Sequence, residues 1–138
     1  MRSLTLVAVL SLLLARSVAG APDASVLAEL NKLEPNNGNC RAYLVLENKG
    51  SVAFEGLKLD IVIFGADGVV KKRLAVQVAP LPSGKTSLKV FDVPELSCDH
   101  VGRLLLNDVL ECSDHTGMRN DCLPLLSTTA RTEVPFIK

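Results

Sequence analysis

The sequence predicts an all-β protein, folded as a two-layer antiparallel sandwich of about six to eight strands. Short segments in which apolar and polar residues alternate recur at roughly ten-residue spacing, and such alternation is typical of half-buried strands. Clusters of Gly, Pro and Asn separate them, and no long segment has a convincing helical period. This combination favours the immunoglobulin-like class of sandwich. With 138 residues, 48% of them hydrophobic, the chain fits one domain with a real core.

The N-terminus has the pattern of a secretory signal peptide. Arg2 gives a positive start, residues 4–15 form an almost unbroken apolar run, and Ala19 ends a small-residue cleavage site. The alternative is an uncleaved membrane anchor, but a run of roughly twelve residues is short against the ~20 that a spanning helix needs. We therefore expect cleavage after Ala19, export to the periplasm by the general secretory route, and no membrane anchor in the mature protein.

These boundaries give residues 1–19 as signal peptide, residues 20–25 as a flexible leader and residues 26–138 as one sandwich domain. The whole chain has 15 basic and 15 acidic residues. Because residues 1–19 contain two arginines and no acid, the mature chain keeps 13 basic residues and has a net charge of about −2. A surface of that charge offers no electrostatic footprint for nucleic acid or anionic lipid.

Four cysteines remain in the mature chain, an even number in a protein sent to an oxidising compartment, so we expect two disulfides. We pair Cys112 with Cys122, because they flank a polar segment that a short cross-link would order. Cys40 and Cys98 would then close a long loop. Other connectivities stay open at this point, as does a zinc or copper site built from the thiols, although no Cys-x-x-Cys pair is present.

The first half of the domain contains the element around which the sheets are organised. Residues 26–34 fit either a helical face or a strand, and we favour the strand because the turn-rich residues 35–39 follow. Residues 40–47 form the next strand. Residues 57–76 predict a central hairpin, with apolar residues at every second position and a glycine-containing turn at residues 65–68.

The second half predicts three further strands. Residues 86–91 alternate, residues 101–110 form an apolar run typical of a strand buried on both faces, and residues 134–137 suit a short edge strand. A loop at residues 80–84 contains two prolines and a glycine. The predicted core consists of Leu44, Leu46, Leu59, Ile61, Leu88, Val90, Leu104 and Leu106.

Three stretches, residues 44–50, 57–70 and 81–86, together resemble the FxLYD family of small extracytoplasmic immunoglobulin-like domains. Ile61 stands at the Phe position of the motif that names the family, Ile63 at the Leu, Phe64 at the Tyr and Gly65 at the Asp. Over its whole length the chain is similar to a group of uncharacterised exported proteins of α-proteobacteria. The resemblance implies a fold and a periplasmic location, and it carries no activity.

Two polar clusters interrupt the apolar pattern. Lys71, Lys72 and Arg73 are interpreted as protection of an edge strand against pairing with other chains, and the alternative is a patch for an acidic partner or a polysaccharide. Asn107 and Asp108 break an apolar strand and predict a bulge or a strand end. A buried carboxylate at such a place would be a reason to look for a site.

The candidates for catalysis and metal binding are few. His100 and His115, each beside an aspartate, are the two histidines of the chain, and we interpret them as exposed loop residues. The alternative is a small protein that binds zinc or copper through them, although two ligands do not make a site. Ser83 and Ser97 lie outside any Gly-x-Ser-x-Gly motif, so we expect no enzyme.

The function expected from the sequence is a non-enzymatic interaction module of the cell envelope, monomeric and without a cofactor. Its partner would be an envelope protein or another envelope ligand. We place the contact at residues 113–121, where Asp114, His115 and Arg119 would be ordered by the Cys112–Cys122 cross-link before any partner arrives.

Overall fold

The computed structural model of the protein describes residues 24–138, so the predicted signal peptide, residues 1–19, and residues 20–23 of the predicted leader lie outside it. Ser25 is already tied to the domain, because its amide donates to the carbonyl oxygen of Leu125. Cys98–His100 and Leu123–Leu125 form short 3₁₀ turns. The strands are β1 (Val26–Asn36), β2 (Asn39–Asn48), β3 (Gly56–Phe64), β4 (Val70–Gln77), β5 (Thr86–Val93), β6 (Arg103–Asp114), β7 (Gly117–Met118), β8 (Leu126–Ala130) and β9 (Phe136–Ile137).

The strands form two stacked sheets, and the predicted all-β sandwich is confirmed. One sheet has the order β5-β2-β1-β8, and the other has the order β4-β3-β6-β7 with β9 also paired to β6. The first, second and fifth strands thus share one layer and the third, sixth and seventh share the other, which is the immunoglobulin-type arrangement. The sheets are mixed where antiparallel sheets were expected, because β8 runs parallel to β1 and β9 runs parallel to β6.

The first hairpin answers the question that the sequence left open at residues 26–34. This segment is a strand, and β1 returns into β2 through a two-residue turn at Asn37 and Gly38. Both turn residues have positive φ, 49° and 82°, which suits Asn and Gly and matches the twist of a hairpin. The turn chemistry therefore outweighs the partial helical pattern of the segment.

The central hairpin is confirmed, with β3 in the middle of its sheet and β4 at the edge. The apolar residues at alternate positions of β3 are fully buried between the sheets: Leu57, Leu59, Ile61 and Ile63. The edge position of β4 agrees with the interpretation of Lys71, Lys72 and Arg73 as residues of an edge strand. The prediction of a short edge strand near the C-terminus is also confirmed, as β9.

Two of the eight predicted core residues are not in the core. Leu88 and Val90 are 58% and 47% exposed. The pairing of β5 with β2 sets Leu88 opposite Val45, on the outer face, and Phe91 opposite the buried Ala42. Residues directly opposite one another share a face, so Leu88 and Val90 must point outward. Apolar residues occur on both faces of β5, and alternation alone selected the wrong one.

β6 is longer and less buried than the sequence predicted. It continues to Asp114, and Leu104 and Leu106 are buried while Leu110 is 50% exposed, so burial on both faces is wrong for its second half. The reason is two register shifts against β3, which leave Asn107 and Leu110 without a partner residue. The bulge predicted at Asn107 is thereby confirmed.

Both predicted disulfides are present, Cys40–Cys98 and Cys112–Cys122, and all four cysteines are paired. Their sequence separations are 58 and 10 residues. In the chain-entropy account, the long loop contributes roughly 4 kcal/mol to stability and the short one roughly 3 kcal/mol. Two disulfides indicate an oxidising, extracytoplasmic compartment. Within residues 24–138, no helix is long and apolar enough to cross a membrane.

Two truncations test this assignment of core and surface. Ile61→Ala should lower the free energy of unfolding by about 2–5 kcal/mol, because it leaves a cavity between the sheets. Leu88→Ala should change it by less than about 0.5 kcal/mol, because that side chain faces solvent. Chemical denaturation of both variants measures the difference. A similar loss of unfolding free energy in the two variants would contradict the assignment of Leu88 to the outer face of β5.

Candidate functional site

The predicted contact segment is a tight hairpin closed by a disulfide. β6 pairs with β7 through Ser113 opposite Met118 and Asp114 opposite Gly117, so only two residues, His115 and Thr116, form the turn. Gly117 has a φ of 122°, which a glycine adopts without strain. The Cys112–Cys122 disulfide joins the two ends. We call residues 112–122 the stapled hairpin.

Asp114 is buried at the inside of this turn, with 8% of its surface exposed. Its Oδ1 accepts hydrogen bonds from the backbone N–H of Thr116 at 2.8 Å and from the Thr116 hydroxyl at 2.5 Å. Its Oδ2 accepts from Arg119 Nη1 at 2.9 Å. The Thr116 hydroxyl, followed by the Arg119 guanidinium, holds the pKa of the Asp114 carboxyl far below its usual range. The carboxylate is therefore charged and fully engaged within the hairpin.

Arg119 bridges two aspartates across the hairpin. Besides Asp114, it donates from Nε and Nη2 to both carboxylate oxygens of Asp121, at 3.0 and 2.8 Å. Its own backbone N–H donates to the carbonyl oxygen of Cys112. The hydrogen bonds that Arg119 donates to Asp121, and then those to Asp114, raise the pKa of Arg119. Such a forked, charge-assisted arrangement fixes geometry better than a single contact does.

The structure thus divides the three predicted contact residues into two roles. Asp114 and Arg119 are brought together and face each other, so they hold the shape of the hairpin. His115 is exposed at the turn. Sequence reasoning missed Met118, which at 76% exposure is the most exposed large apolar side chain in residues 24–138. Its signal was the presence of one long apolar residue in an otherwise polar segment between two cysteines.

The stapled hairpin projects from one end of the sandwich. Ser113 pairs with Gly56 at the start of β3, and its carbonyl oxygen accepts from the N–H of Glu55. The predicted loop at residues 80–84 lies at the same end, because Leu81 bridges to Phe54. The turn at residues 65–68 follows the other end of β3. A cleft of about 60 Å³ lies at the base of the hairpin, beside Arg119 and Leu123, and is small compared with the roughly 300–1,000 Å³ typical of ligand pockets.

The opposite end of the sandwich holds His100. A cleft of about 440 Å³ there is lined by Gly65, Ala66, Asp67, Lys71, Leu96, Asp99 and His100. His100 and His115 are separated by the length of β3, on the order of 25 Å, so the structure does not bring the two histidines together. In residues 24–138 no group of three or more His, Cys, Asp or Glu side chains could hold a metal ion.

The two serines considered for catalysis have local partners. Ser97 Oγ lies 3.1 Å from His100 Nδ1, an i, i+3 contact across one 3₁₀ turn, and no carboxylate of the described chain hydrogen-bonds the other ring nitrogen. The hydroxyl of Ser83 donates to the carbonyl oxygen of Gly50. Neither arrangement has the three linked members of a hydrolytic triad.

A second buried carboxylate, Asp60, lies on the outer face of the second sheet with 1% of its surface exposed. It accepts from Arg73 Nε and Nη2, each at 2.8 Å, and from Asn107 Nδ2 at 2.7 Å. Arg73 belongs to β4 and Asn107 to the bulge of β6, so this carboxylate joins three adjacent strands. No buried side-chain nitrogen or oxygen in residues 24–138 lacks a partner, and the carboxylate of Asp60 is satisfied by Arg73 and Asn107.

Comparison with known proteins found no match. No family model matches the chain, and neither the curated proteins nor the solved structures contain a significant relative. The resemblance to the FxLYD family therefore stays a prediction.

The Asp60 contacts predict a pH dependence of stability. The Arg73 guanidinium, helped by Asn107, lowers the pKa of Asp60 in the folded protein. The stabilisation that the ionised Asp60 gives to the folded protein is therefore complete above the pKa of an unfolded aspartate, about 4. It is lost as the pH falls through the lower pKa that Asp60 has in the folded protein. At pH 7, Asp60→Asn should cost about 1–3 kcal/mol of unfolding free energy, and that difference should shrink towards pH 2.

The control for this measurement is Asp92→Asn. Asp92 also pairs with an arginine, Arg41, but both side chains are more than a third exposed. Its removal should matter much less, since exposed pairs are screened by water. Urea unfolding at the two pH values measures both variants. If Asp60→Asn lowered the free energy of unfolding as much at pH 2 as at pH 7, the interpretation of Asp60 as a charged, hydrogen-bonded group would be contradicted.

Proposed function

We propose that the protein is a non-enzymatic interaction module of the cell envelope, which contacts a partner protein through the stapled hairpin. The observation that carries this proposal is the position of Met118, 76% exposed on a turn whose shape is held by a disulfide and a buried carboxylate. A large apolar side chain held on a turn of fixed shape can act as an anchor that enters an apolar pocket of a partner protein.

The order of the hairpin supports binding in energetic terms. Association requires loops and side chains at the interface to lose conformational freedom, at a cost of about 0.5–1.5 kcal/mol for each long side chain. The backbone of the hairpin is already restricted by Cys112–Cys122, and Arg119 is restricted by its two aspartates. A partner therefore meets a surface that needs little further ordering.

The exposed groups indicate the chemistry of the partner. Met118 is flexible and polarisable, so it can fill an apolar pocket of imperfect shape. His115 and Asn120 are exposed in the same hairpin and supply hydrogen-bonding groups at the rim. This composition suits a protein surface with a small apolar pocket bordered by polar groups.

The signal pattern and the disulfides also support a cellular location for the protein. Residues 1–19 have the pattern of a secretory signal, and two disulfides are typical of proteins in an oxidising compartment. The resemblance to FxLYD-type domains supports a periplasmic location. We therefore place the mature protein, residues 20–138, in the periplasm after export by the general secretory route.

Photo-crosslinking tests the contact directly. Mature protein with a photoreactive amino acid in place of Met118 is irradiated in an extract of the cell envelope, beside a control with the same group in place of Val69. Val69 is also an exposed apolar residue, at 55%, but lies at the opposite end of the sandwich. We expect a defined protein adduct from position 118 and none from position 69.

Competition shows whether the adduct is specific. Unlabelled mature protein should suppress the adduct, and Met118→Asp protein should do so roughly tenfold less well, because a charge cannot replace a buried anchor. Met118→Leu serves as the matched conservative variant and should compete like the wild type. Equal capture at both positions, no capture at position 118, or equal competition by Met118→Asp would each contradict the proposal.

A further inference from the structure

The free edge of β5 is a second surface with a chemistry of its own. β4 and β5 are the edge strands of their sheets and contact each other along the same side of the sandwich. β4 presents Lys71, Lys72 and Arg73, which discourage pairing with another strand. β5 is eight residues long, regular in its pairing with β2, and free of proline.

The unpaired backbone groups of β5 can be assigned from its pairing with β2. The N–H of Asn48 donates to the carbonyl oxygen of Lys85, and hydrogen-bonded pairs then recur at every second residue along the antiparallel ladder. Residues 87, 89, 91 and 93 therefore bond to β2. The N–H and C=O groups of Thr86, Leu88, Val90 and Asp92 point away from the sheet, towards the free edge.

The side chains of Leu88 and Val90 form an apolar patch on the outer face, between the polar residues Thr86 and Asp92. Leu88 and Val90 are 58% and 47% exposed, and they lie opposite Val45 and Tyr43 of β2. A long edge strand that offers both free hydrogen-bonding groups and exposed apolar side chains is a template for a further strand.

We propose that β5 pairs antiparallel with β5 of a second copy of this chain, with Leu88 of one copy opposite Leu88 of the other. The pairing joins the two four-stranded sheets into one sheet of eight strands around a two-fold axis. An edge that meets its own copy in this way makes a closed, isologous interface.

The register follows from comparing the symmetric pairings that are centred on Leu88, Lys89 and Val90, the middle of the strand. Centring the axis on Lys89 sets two lysines against each other. Centring it on Val90 sets Leu88 against Asp92, a carboxylate already bonded to Arg41. Centring it on Leu88 pairs Thr86 with Val90 and places Lys89 opposite Ser87, so like charges are separated and apolar residues meet.

Lys89 explains why this pairing is selective. Its side chain is half-buried and faces the other sheet, and an inward-facing charge on an edge strand is a known obstacle to unspecific strand addition. In the Leu88-centred register the lysine lies opposite a small polar residue and is tolerated. The expected dimer is accordingly weak and forms with rising concentration.

The dimer leaves the stapled hairpins free. β5 and β4 lie along one side of the sandwich, whereas β7 is at the far end of the strand order of its sheet. The dimer would carry two stapled hairpins. It could therefore bind a partner with two sites, or two partners on one membrane, with higher avidity than the monomer. The pairing of β5 does not depend on the proposed function of the hairpin.

Sedimentation equilibrium and cysteine cross-linking test the proposal. The wild-type mature protein should show a concentration-dependent dimer below about 1 mM. Leu88→Lys should be monomeric with an unchanged melting temperature, because its side chain faces solvent in the single chain. Leu88→Ser is the matched uncharged variant and should weaken the dimer less.

The register is tested by mild oxidation of folded single-cysteine variants. Residues in a hydrogen-bonded antiparallel pair have Cα atoms about 5.5 Å apart, which is within the range that a disulfide spans. Leu88→Cys should form a disulfide-linked dimer, and Val90→Cys, which lies opposite Thr86, should not. A wild-type protein that stays monomeric to about 1 mM, or a Val90→Cys protein that cross-links as fast as Leu88→Cys, would overturn the proposal.

Discussion

The antiparallel pairing of β3 with β6 is the constraint on which the rest of the structure depends. The ladder runs from Gly56 opposite Ser113 to Phe64 opposite Arg103. A bulge within it brings Asn107 to the buried Asp60 and so ties β6 to β3 and β4. Because β6 continues past the start of β3, its last residues begin the stapled hairpin, which is thereby anchored on a central strand.

The stapled hairpin separates residues that hold shape from residues that face a partner. Asp114 and Arg119 hydrogen-bond each other, and they also bond Thr116 and Asp121. Replacing either residue would therefore change the shape of the turn as well as its surface. His115 and Met118 have no such role and are exposed. An interaction surface of this kind is small, but the disulfide, the Asp114 contacts and the pairing of Ser113 with Gly56 hold its shape.

Much of the fold could be predicted from the sequence, because alternation and turn residues report directly on half-buried strands. Ile61 and both disulfides were assigned correctly. Leu88 was assigned to the wrong face, because an edge strand with apolar residues on both faces takes its orientation from a partner strand distant in sequence. Asp60 was missed for a related reason, because its burial depends on Arg73 and Asn107, which lie 13 and 47 residues away in sequence. Met118 had a local signal, as an isolated apolar residue in a polar segment, but its exposure depends on how β7 pairs with β6.

Backbone amide relaxation in the free mature protein tests the central claim, that the stapled hairpin is ordered before a partner binds. The amides of residues 114–120 should have order parameters near those of β3, about 0.85, since the disulfide and the Asp114 contacts restrict the turn from both sides. Order parameters below about 0.6 across the turn would describe a flexible loop and would contradict the account.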